Sequence, residues 1–185
     1  MKDYRSEWKG WDNLPQHKEG HTGKYPIYQQ ALFNIVKNHQ PKNILEIGFN
    51  AGHSACCFLN AAPNTKMITF DICRWGTEYP ALAVLKEFFD IELIEGDSLL
   101  TVPKWSKENT VKFDFIFVDG AHFGEHPYKD MINCLELVAI DGLILIDDMH
   151  IPDVFYAHQK INWSNFSPIS VPSTEKKFKV YKRIK

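Results

Sequence analysis

The chain has 185 residues, 44% of them hydrophobic and 24% charged, with 21 Lys+Arg against 23 Asp+Glu and a formal net charge of -2. These values are typical of one globular domain and exclude a disordered chain. No apolar run approaches the ~18–20 residues of a membrane span, and the polar start MKDYRSEWKGWDN has no apolar core of a signal peptide. The balanced charge argues against broad binding to nucleic acid. We therefore expect neither a membrane nor a nucleic acid as partner.

The cysteines are scattered and form no CxxC pair, which indicates buried thiols in a reducing compartment and a cytoplasmic protein. They are Cys56, Cys57, Cys73 and Cys134.

Residues 1–23 lack a clear hydrophobic period and are predicted to form an irregular N-terminal arm, while residues 24–185 form a single domain. The arm contains aromatic and histidine side chains among charged residues, namely Trp8, Trp11, His17 and His21. Together with Lys24 these side chains could line an acceptor pocket, but aromatic residues more often anchor a segment to the body of a protein. We therefore favour a structural role, in which the tryptophans anchor the arm to the domain.

Helices and strands alternate from residue 24 onward. Helical spacing predicts helices at 28–36, 55–62, 80–89, 99–102 and 127–138, the last ended by Asp141-Gly142, with a surface loop at 104–112. Apolar runs predict strands at 43–47, 67–71, 91–94, 113–119 and 143–146. Period-2 alternation around a turn at 172–175 predicts a closing hairpin. The fold class is therefore α/β, a doubly wound sheet of mostly parallel strands with helices on both faces and a C-terminal antiparallel β-hairpin.

The first strand-to-helix turn contains two glycines, Gly48 and Gly52, between Glu46 and Ser54. Ligands of parallel sheets lie beyond the carboxyl ends of the strands, where glycine lets the backbone approach them and a helix start offers free N–H groups. The spacing is GxxxG and lacks the middle glycine of the GxGxxG dinucleotide fingerprint, which disfavours a nicotinamide site. A tight turn needed only for packing is the alternative.

Polar side chains also end the next two strands. Asp71 closes the second strand, where a carboxylate can accept ribose hydroxyls, although a solvated strand-end Asp is equally plausible for this residue alone. Asp97 and Ser98 follow the third strand, where an adenine amino group could be read. Three polar strand ends at one rim indicate a nucleoside site.

A second cluster follows the fourth and fifth strands. Asp119 ends one strand, Asp147 and Asp148 end the other, and His122 comes three residues after Asp119. If the two strands are neighbours, three carboxylates converge and raise one another's pKa, which a divalent cation such as Mg²⁺, Ca²⁺ or Mn²⁺ would relieve. The alternatives are structural: Asp147 buried at a turn, Asp148 capping the next helix, and His122 donating to backbone.

Three other histidines are assigned to the surface. His150 is expected in a solvated loop, and His126 and His158 on the exposed sides of helices.

The chain resembles class I S-adenosylmethionine-dependent methyltransferases over roughly residues 40–150. ILEIGFNAGHSA is similar to their motif I, ExGxxxGxS, and FDFIFVDGAH and DGLILIDD are similar to their fourth- and fifth-strand motifs. The resemblance implies a Rossmann-like fold, with an arm that covers the active site. It also implies these cofactor-binding residues: Glu46, Gly48, Asn50, Gly52, Ser54, Asp71, Asp97, Ser98 and Asp119.

The acidic cluster resembles that of the metal-dependent O-methyltransferases. In the catechol type an Asp closes strand four and an Asp-Asn pair closes strand five, so Asp147-Asp148 departs from it. The macrolide-sugar type is closer, because its Asp-x-x-His element matches Asp119 to His122. This likeness implies Asp119, Asp147 and Asp148 as ligands of a divalent metal, most simply Mg²⁺, and His122 as the general base.

The leading hypothesis is an S-adenosylmethionine-dependent methyltransferase that transfers a methyl group to a hydroxyl of a small molecule. One alternative is a metal-independent methyltransferase acting on nitrogen or another acceptor, with the carboxylates binding a substrate amine. The other is a non-catalytic nucleoside-binding module of the same fold. The acceptor and the oligomeric state, a homo-oligomer included, are left open by the sequence.

Overall fold

The computed structural model describes residues 4–16, 22–171 and 177–185, which contain a seven-stranded sheet. The strands are β1 Asn43–Ile47, β2 Lys66–Asp71, β3 Asp90–Glu95, β4 Phe113–Val118, β5 Val138–Ile146, β6 Phe166–Ile169 and β7 Lys179–Arg183. Their order in the sheet is β3-β2-β1-β4-β5-β7-β6. Strands β1 to β5 pair in parallel, while β7 pairs antiparallel with both β5 and β6. The predicted doubly wound sheet with a closing antiparallel hairpin is thereby confirmed.

Helices cover both faces of the sheet. The helices are α1 Pro26–His39, α2 His53–Ala61, α3 Glu78–Lys86, α4 Ser98–Glu108, α5 His126–Leu135 and α6 Pro152–Gln159. Successive β4 residues point to opposite sides, so that Phe115 packs in one apolar core with α1, α2 and α3, and Ile116 in the other with α4, α5 and α6. No helix in the described ranges combines the length and the apolar character needed to cross a bilayer.

The fourth helix is longer than its sequence suggests. The helix predicted at 99–102 is present but ends later, and the loop predicted at 104–112 is wrong over residues 104–108, because α4 continues through Pro103 to Glu108. Trp105 packs beside Phe70, at 6.4 Å between ring centroids, and beside Phe113, at 5.4 Å. Packing of this large ring against the sheet outweighs the helix-breaking tendency of the proline.

The fifth strand is also longer than predicted. Helix α5 ends at Leu135, and Asp141-Gly142 lies inside β5 rather than ending the helix. Asp141 has φ of 65°, and the pairing of β4 with β5 shifts register here. A Cβ on Gly142 would meet the carbonyl oxygens of Ala139 and Phe113 at 2.9 Å each. Asp141 and Gly142, which resemble a turn in the sequence, therefore allow a local shift of register within β5.

His158 is buried, with 6% of its surface exposed, so its predicted surface position is wrong. Its Nε2 lies 2.8 Å from the Tyr181 hydroxyl, and the ring of Trp163 stacks on Tyr181 at 4.0 Å. Hydrogen bonding and ring packing allow the imidazole to be accommodated between α6 and β7.

The described part of the arm packs on the domain. Trp8 stacks on Phe33 of α1 at 5.2 Å, and the backbone N–H of Lys9 donates to the side chain of Asn60. Trp8 is therefore packed against the domain in the described part of the arm. His17, His21 and the hairpin turn at 172–175 lie outside the described residues.

Candidate functional site

A cavity of about 810 Å³ opens at the carboxyl ends of the parallel strands. Most of the site residues predicted from the sequence line it, from both the glycine-loop side and the acidic side. These are Gly48, Asn50, Ser54, Asp71, Asp97, Ser98, Asp119, His122 and Asp148, together with His126 and His150. The polar residues that follow the predicted strand ends therefore line one continuous cavity.

The glycine loop leaves β1 in a conformation that a side chain would prevent. Gly48 has φ of +94°, and a Cβ there would lie 2.0 Å from the carbonyl oxygen of Asp119. Gly52 has φ of +75° and precedes the first residue of α2. The first glycine lets the loop cross β4 closely, and the second lets the chain turn into the helix.

Glu46 is hydrogen-bonded to Ser54, which follows this loop. Its carboxylate is fully buried and accepts hydrogen bonds from the hydroxyls of Ser54, at 2.5 Å, and Thr69, at 3.0 Å. Burial raises the pKa of Glu46 to about 8, against the lowering effect of these two hydroxyls. The residue therefore acts on the cavity through Ser54.

Asp71 joins the end of β2 to the glycine loop. Its Oδ2 accepts the backbone N–H groups of Phe49, at 2.8 Å, and Asn50, at 2.9 Å, while its Oδ1 accepts that of Cys73, at 2.7 Å. A carboxylate has about four acceptor positions, so one is left for a ligand hydroxyl. The residue predicted to hold a ribose also holds the loop in place.

Asp97 is the N-cap of α4, where its side chain accepts the N–H of Leu99 at 2.9 Å. The Nε2 of His126 lies 3.6 Å from the same carboxylate oxygen, Oδ1, at an ion-pair distance. Asp130 of α5 is nearly fully buried, and burial raises its pKa to about 6. This corner of the cavity combines a helix start with a contact between a histidine and a carboxylate.

The acidic end of the cavity brings three predicted residues together. Nε2 of His122 lies 3.1 Å from Oδ2 of Asp148 and 3.4 Å from Oδ1 of Asp119. One donor atom from each of the three residues falls within 4.8 Å of the others, a spacing that a metal ion can bridge. Burial alone would lower the pKa of the His122 imidazole, but Asp119, Asp148 and Asp147 together raise it above its ordinary value.

Asp147 does not join that cluster. It is 2% exposed and does not line the cavity. Burial raises the pKa of the Tyr28 phenol well above its usual value, and Asp147 and Asp119 raise it further. The two adjacent aspartates at the end of β5 therefore face different surroundings.

Several lining residues have no signal in the sequence. His53 opens α2 and contacts the ring of Trp11 edge-on at 5.2 Å, and Arg74 lies over the ring of Trp75 at 4.7 Å. Lys177 also lines the cavity. Arg74 and Lys177 lie outside any recognisable pattern, whereas the position of His53 beside the glycine loop could have pointed to it.

A family model described as a methyltransferase domain matches residues 45–149, which contain the glycine loop and both acidic strand ends. O-methyltransferase ankF of Aspergillus thermomutatus is 28% identical over 130 residues, 66% of this chain and 52% of that protein. O-methyltransferase hkm8 of Aspergillus hancockii is 27% identical over 137 residues, 72% of this chain and 53% of that protein. The chain thus spans about half the length of these curated relatives.

Solved structures share the fold. An O-methyltransferase from Bacillus cereus in complex with SAH has a TM-score of 0.73 at 19% identity, covering 94% of this chain and 86% of that one. The O-methyltransferase TomG from Streptomyces achromogenes, in complex with SAM, has a TM-score of 0.73 at 17% identity, covering all of both chains.

Proposed function

Because the chain belongs to the methyltransferase-domain family, we propose that it is an S-adenosylmethionine-dependent methyltransferase acting on a hydroxyl of a small molecule. One observation supports this above others: the glycine loop, Asp71 and the Asp119–His122–Asp148 cluster line a single cavity. The cofactor and the acceptor hydroxyl can therefore meet inside one cavity. The O-methyltransferase names of the similar proteins support oxygen as the acceptor atom.

The cofactor would lie along the first three strand ends. The glycine loop and Ser54 would face its methionine part, Asp71 its ribose, and Asp97 with Ser98 its adenine. Acidic side chains along the rim of the cavity favour a sulfonium cation over a polyanionic ligand.

His122 would remove the proton of the acceptor hydroxyl. Methyl transfer is an in-line displacement in which the acceptor oxygen bonds to the methyl carbon as the sulfur–carbon bond breaks and S-adenosylhomocysteine leaves. The proton released from the oxygen goes to the imidazole, which Asp119 and Asp148 orient from 3.4 and 3.1 Å. The chain thus supplies orientation and a base.

A divalent cation fits the same cluster, and Mg²⁺ is the simplest choice. Mg²⁺ in proteins is usually held by one or two carboxylates that leave coordination positions for water and substrate. Asp119 and Asp148 offer such a pair, which leaves the His122 imidazole to act as the base, and Asp147 is the further ligand predicted from the sequence. When bound, the cation would lower the pKa of the acceptor hydroxyl.

A metal-independent reaction is the second candidate, and the position of His122 supports it. A protonated imidazole between two carboxylates can supply the compensating positive charge without a cation. The acceptor could then be nitrogen or another atom.

We propose a small-molecule acceptor and a cytoplasmic setting, since all four cysteines are free thiols. Titration calorimetry with S-adenosylmethionine and S-adenosylhomocysteine tests the cofactor, and absence of heat at millimolar ligand would reject the proposal in favour of another nucleoside.

Release of S-adenosylhomocysteine should then be followed with a panel of catechols, phenols and amines, in EDTA and after addition of Mg²⁺. Activity lost in EDTA and restored by Mg²⁺ supports the metal, whereas full activity in EDTA supports the second candidate. Asp148→Asn should abolish turnover, with the exposed Asp153→Asn as the matched control.

A further inference from the structure

The first part of the arm, residues 4–16, is fixed to the domain by contacts with α1 and α2. The backbone N–H of Lys9 donates to Oδ1 of Asn60 at 2.8 Å, and the Lys9 carbonyl accepts from Nδ2 of the same side chain at 3.2 Å. Trp8 stacks on Phe33 with ring centroids 5.2 Å apart. These four residues do not line the cavity, so they fix this part of the arm independently of any ligand.

Arg5 reaches from this fixed part to the short helical turn Thr22–Lys24, which leads into α1. Its Nη1 donates to the carbonyl oxygen of Gly23 at 2.8 Å, and the same nitrogen lies 3.4 Å from the side-chain oxygen of Gln29. Its guanidinium carbon also lies 5.0 Å from the centroid of the Trp11 ring, within the range of a cation–π contact. One half-buried arginine therefore joins the start of the arm to its end.

The two main partners of Arg5 stand behind residues that line the cavity. Gly23 follows Thr22, which is 3% exposed and whose carbonyl accepts the backbone N–H of Tyr25 at 3.0 Å. Thr22 and Tyr25 both line the cavity. Trp11 contacts the ring of His53 edge-on at 5.2 Å, and His53 lines the cavity beside the glycine loop. Arg5 does not line the cavity itself, so it acts on a ligand only through these two sets of contacts.

We propose that Arg5 is a positioning residue: by binding Gly23 and Trp11 together, it holds two walls of the cavity at a fixed separation. A planar guanidinium can donate a hydrogen bond in its plane and contact a ring through its face at the same time. Without it, the turn with Thr22 and the Trp11 ring are free to separate, and His53 moves with the ring. The inference rests on the proposed function, in which this cavity holds S-adenosylmethionine.

Titration calorimetry with S-adenosylhomocysteine on Arg5→Met gives the first test. Methionine keeps most of the apolar stem and removes both the charge and the donors. Loss of a hydrogen bond from a charged group is expected to weaken binding about 10-fold, measured at a temperature where the variant is fully folded. Arg183→Met is the matched control, because Arg183 also donates to a backbone carbonyl, that of Val138 at 2.7 Å, and neither residue lines the cavity.

Two NMR measurements without ligand test the walls themselves. The first is the ¹H–¹⁵N spectrum of the His53 ring, assigned with His53→Gln, which reports the contact with Trp11. The second is hydrogen exchange of the Tyr25 amide, which is protected by its bond to the Thr22 carbonyl. In Arg5→Met the His53 signals should shift and the Tyr25 amide should exchange faster.

The expected result is weaker binding, shifted His53 signals and faster Tyr25 exchange in Arg5→Met, and none of these changes in Arg183→Met. Binding unaffected by Arg5→Met would overturn the inference, as would an equal loss of affinity in Arg183→Met. It would also be overturned if Arg5→Met left the His53 signals and the Tyr25 exchange unchanged.

If Arg5→Met does not fold, Arg5→Lys takes its place. Lysine keeps the charge but lacks the planar fork, so the same three changes should appear at smaller size, and the absence of all three would overturn the inference.

If the unaltered protein gives no heat with S-adenosylhomocysteine, the proposed function fails. The His53 signals and the Tyr25 exchange then decide the role of Arg5 on their own.

Discussion

Nε2 of His122 lies 3.1 Å from Oδ2 of Asp148, although one residue follows β4 and the other follows β5. The contact exists because the two strands pair in parallel, with Val118 opposite Ile146 at their carboxyl ends. The register between β4 and β5 therefore brings these two side chains together. A change at the end of either strand should alter the cluster of Asp119, His122 and Asp148.

Gly48→Ala should be far more harmful than Gly76→Ala. Both glycines have positive φ, +94° and +76°, so both substitutions incur backbone strain of about 1–2 kcal/mol. Only Gly48 would also place a Cβ 2.0 Å from a backbone oxygen, that of Asp119, while Gly76 has nothing within 4 Å. Thermal unfolding should show a loss of about 2–8 °C for Gly76→Ala and more than about 10 °C for Gly48→Ala.

Titration with S-adenosylmethionine completes this comparison. Gly76→Ala should bind like the unaltered protein, and Gly48→Ala should not bind. Equal losses in the two variants would mean that the close approach to Asp119 is unimportant.

The buried Glu46 predicts a fall in stability as the pH rises. Its pKa is about 8 in the folded protein against 4.5 for the ordinary group, so the folded state binds the proton more tightly. The free energy of unfolding should therefore decrease between pH 4.5 and about 8, because Glu46 loses its proton readily in the unfolded chain over this range but keeps it in the folded protein. Urea unfolding at several pH values should show this decrease in the unaltered protein, and a smaller one in Glu46→Gln. Parallel pH profiles for the two proteins would contradict the prediction.

Asp71 should affect both the loop and the ligand. Because its two oxygens accept three backbone N–H groups, Asp71→Asn places an amide N–H₂ against at least one donor. We expect S-adenosylhomocysteine affinity to fall at least about 10-fold, equivalent to about 1.4 kcal/mol.

An analogue of S-adenosylhomocysteine without ribose hydroxyls separates the two roles of Asp71. If the residue contacts ribose, the analogue should bind Asp71→Asn and the unaltered protein with more similar affinities than S-adenosylhomocysteine does. If Asp71→Asn weakens the binding of both ligands by the same factor, Asp71 acts only by holding the glycine loop.

The apolar strands were predictable because each is a short run bounded by polar or glycine residues, and with them came the strand-end positions of Asp119, Asp147 and Asp148. The burial of Asp147 away from the cavity that Asp148 lines was not predictable, because the two residues are adjacent and of the same type. Trp105 and His158 owe their positions to partners distant in sequence, and such contacts leave no local pattern.

Two tryptophans of the arm should differ in what they affect. Trp8 stacks on Phe33, whereas Trp11 contacts His53, which lines the cavity. Trp8→Ala should lower the free energy of unfolding by about 1–3 kcal/mol through lost packing, and leave S-adenosylmethionine affinity unchanged. Trp11→Ala should lower stability by a similar amount and also weaken the cofactor several-fold, because His53 loses the ring that holds it beside the glycine loop. Urea unfolding and calorimetry on both variants check this, and cofactor affinity that falls equally in both would show that the arm acts only through overall stability.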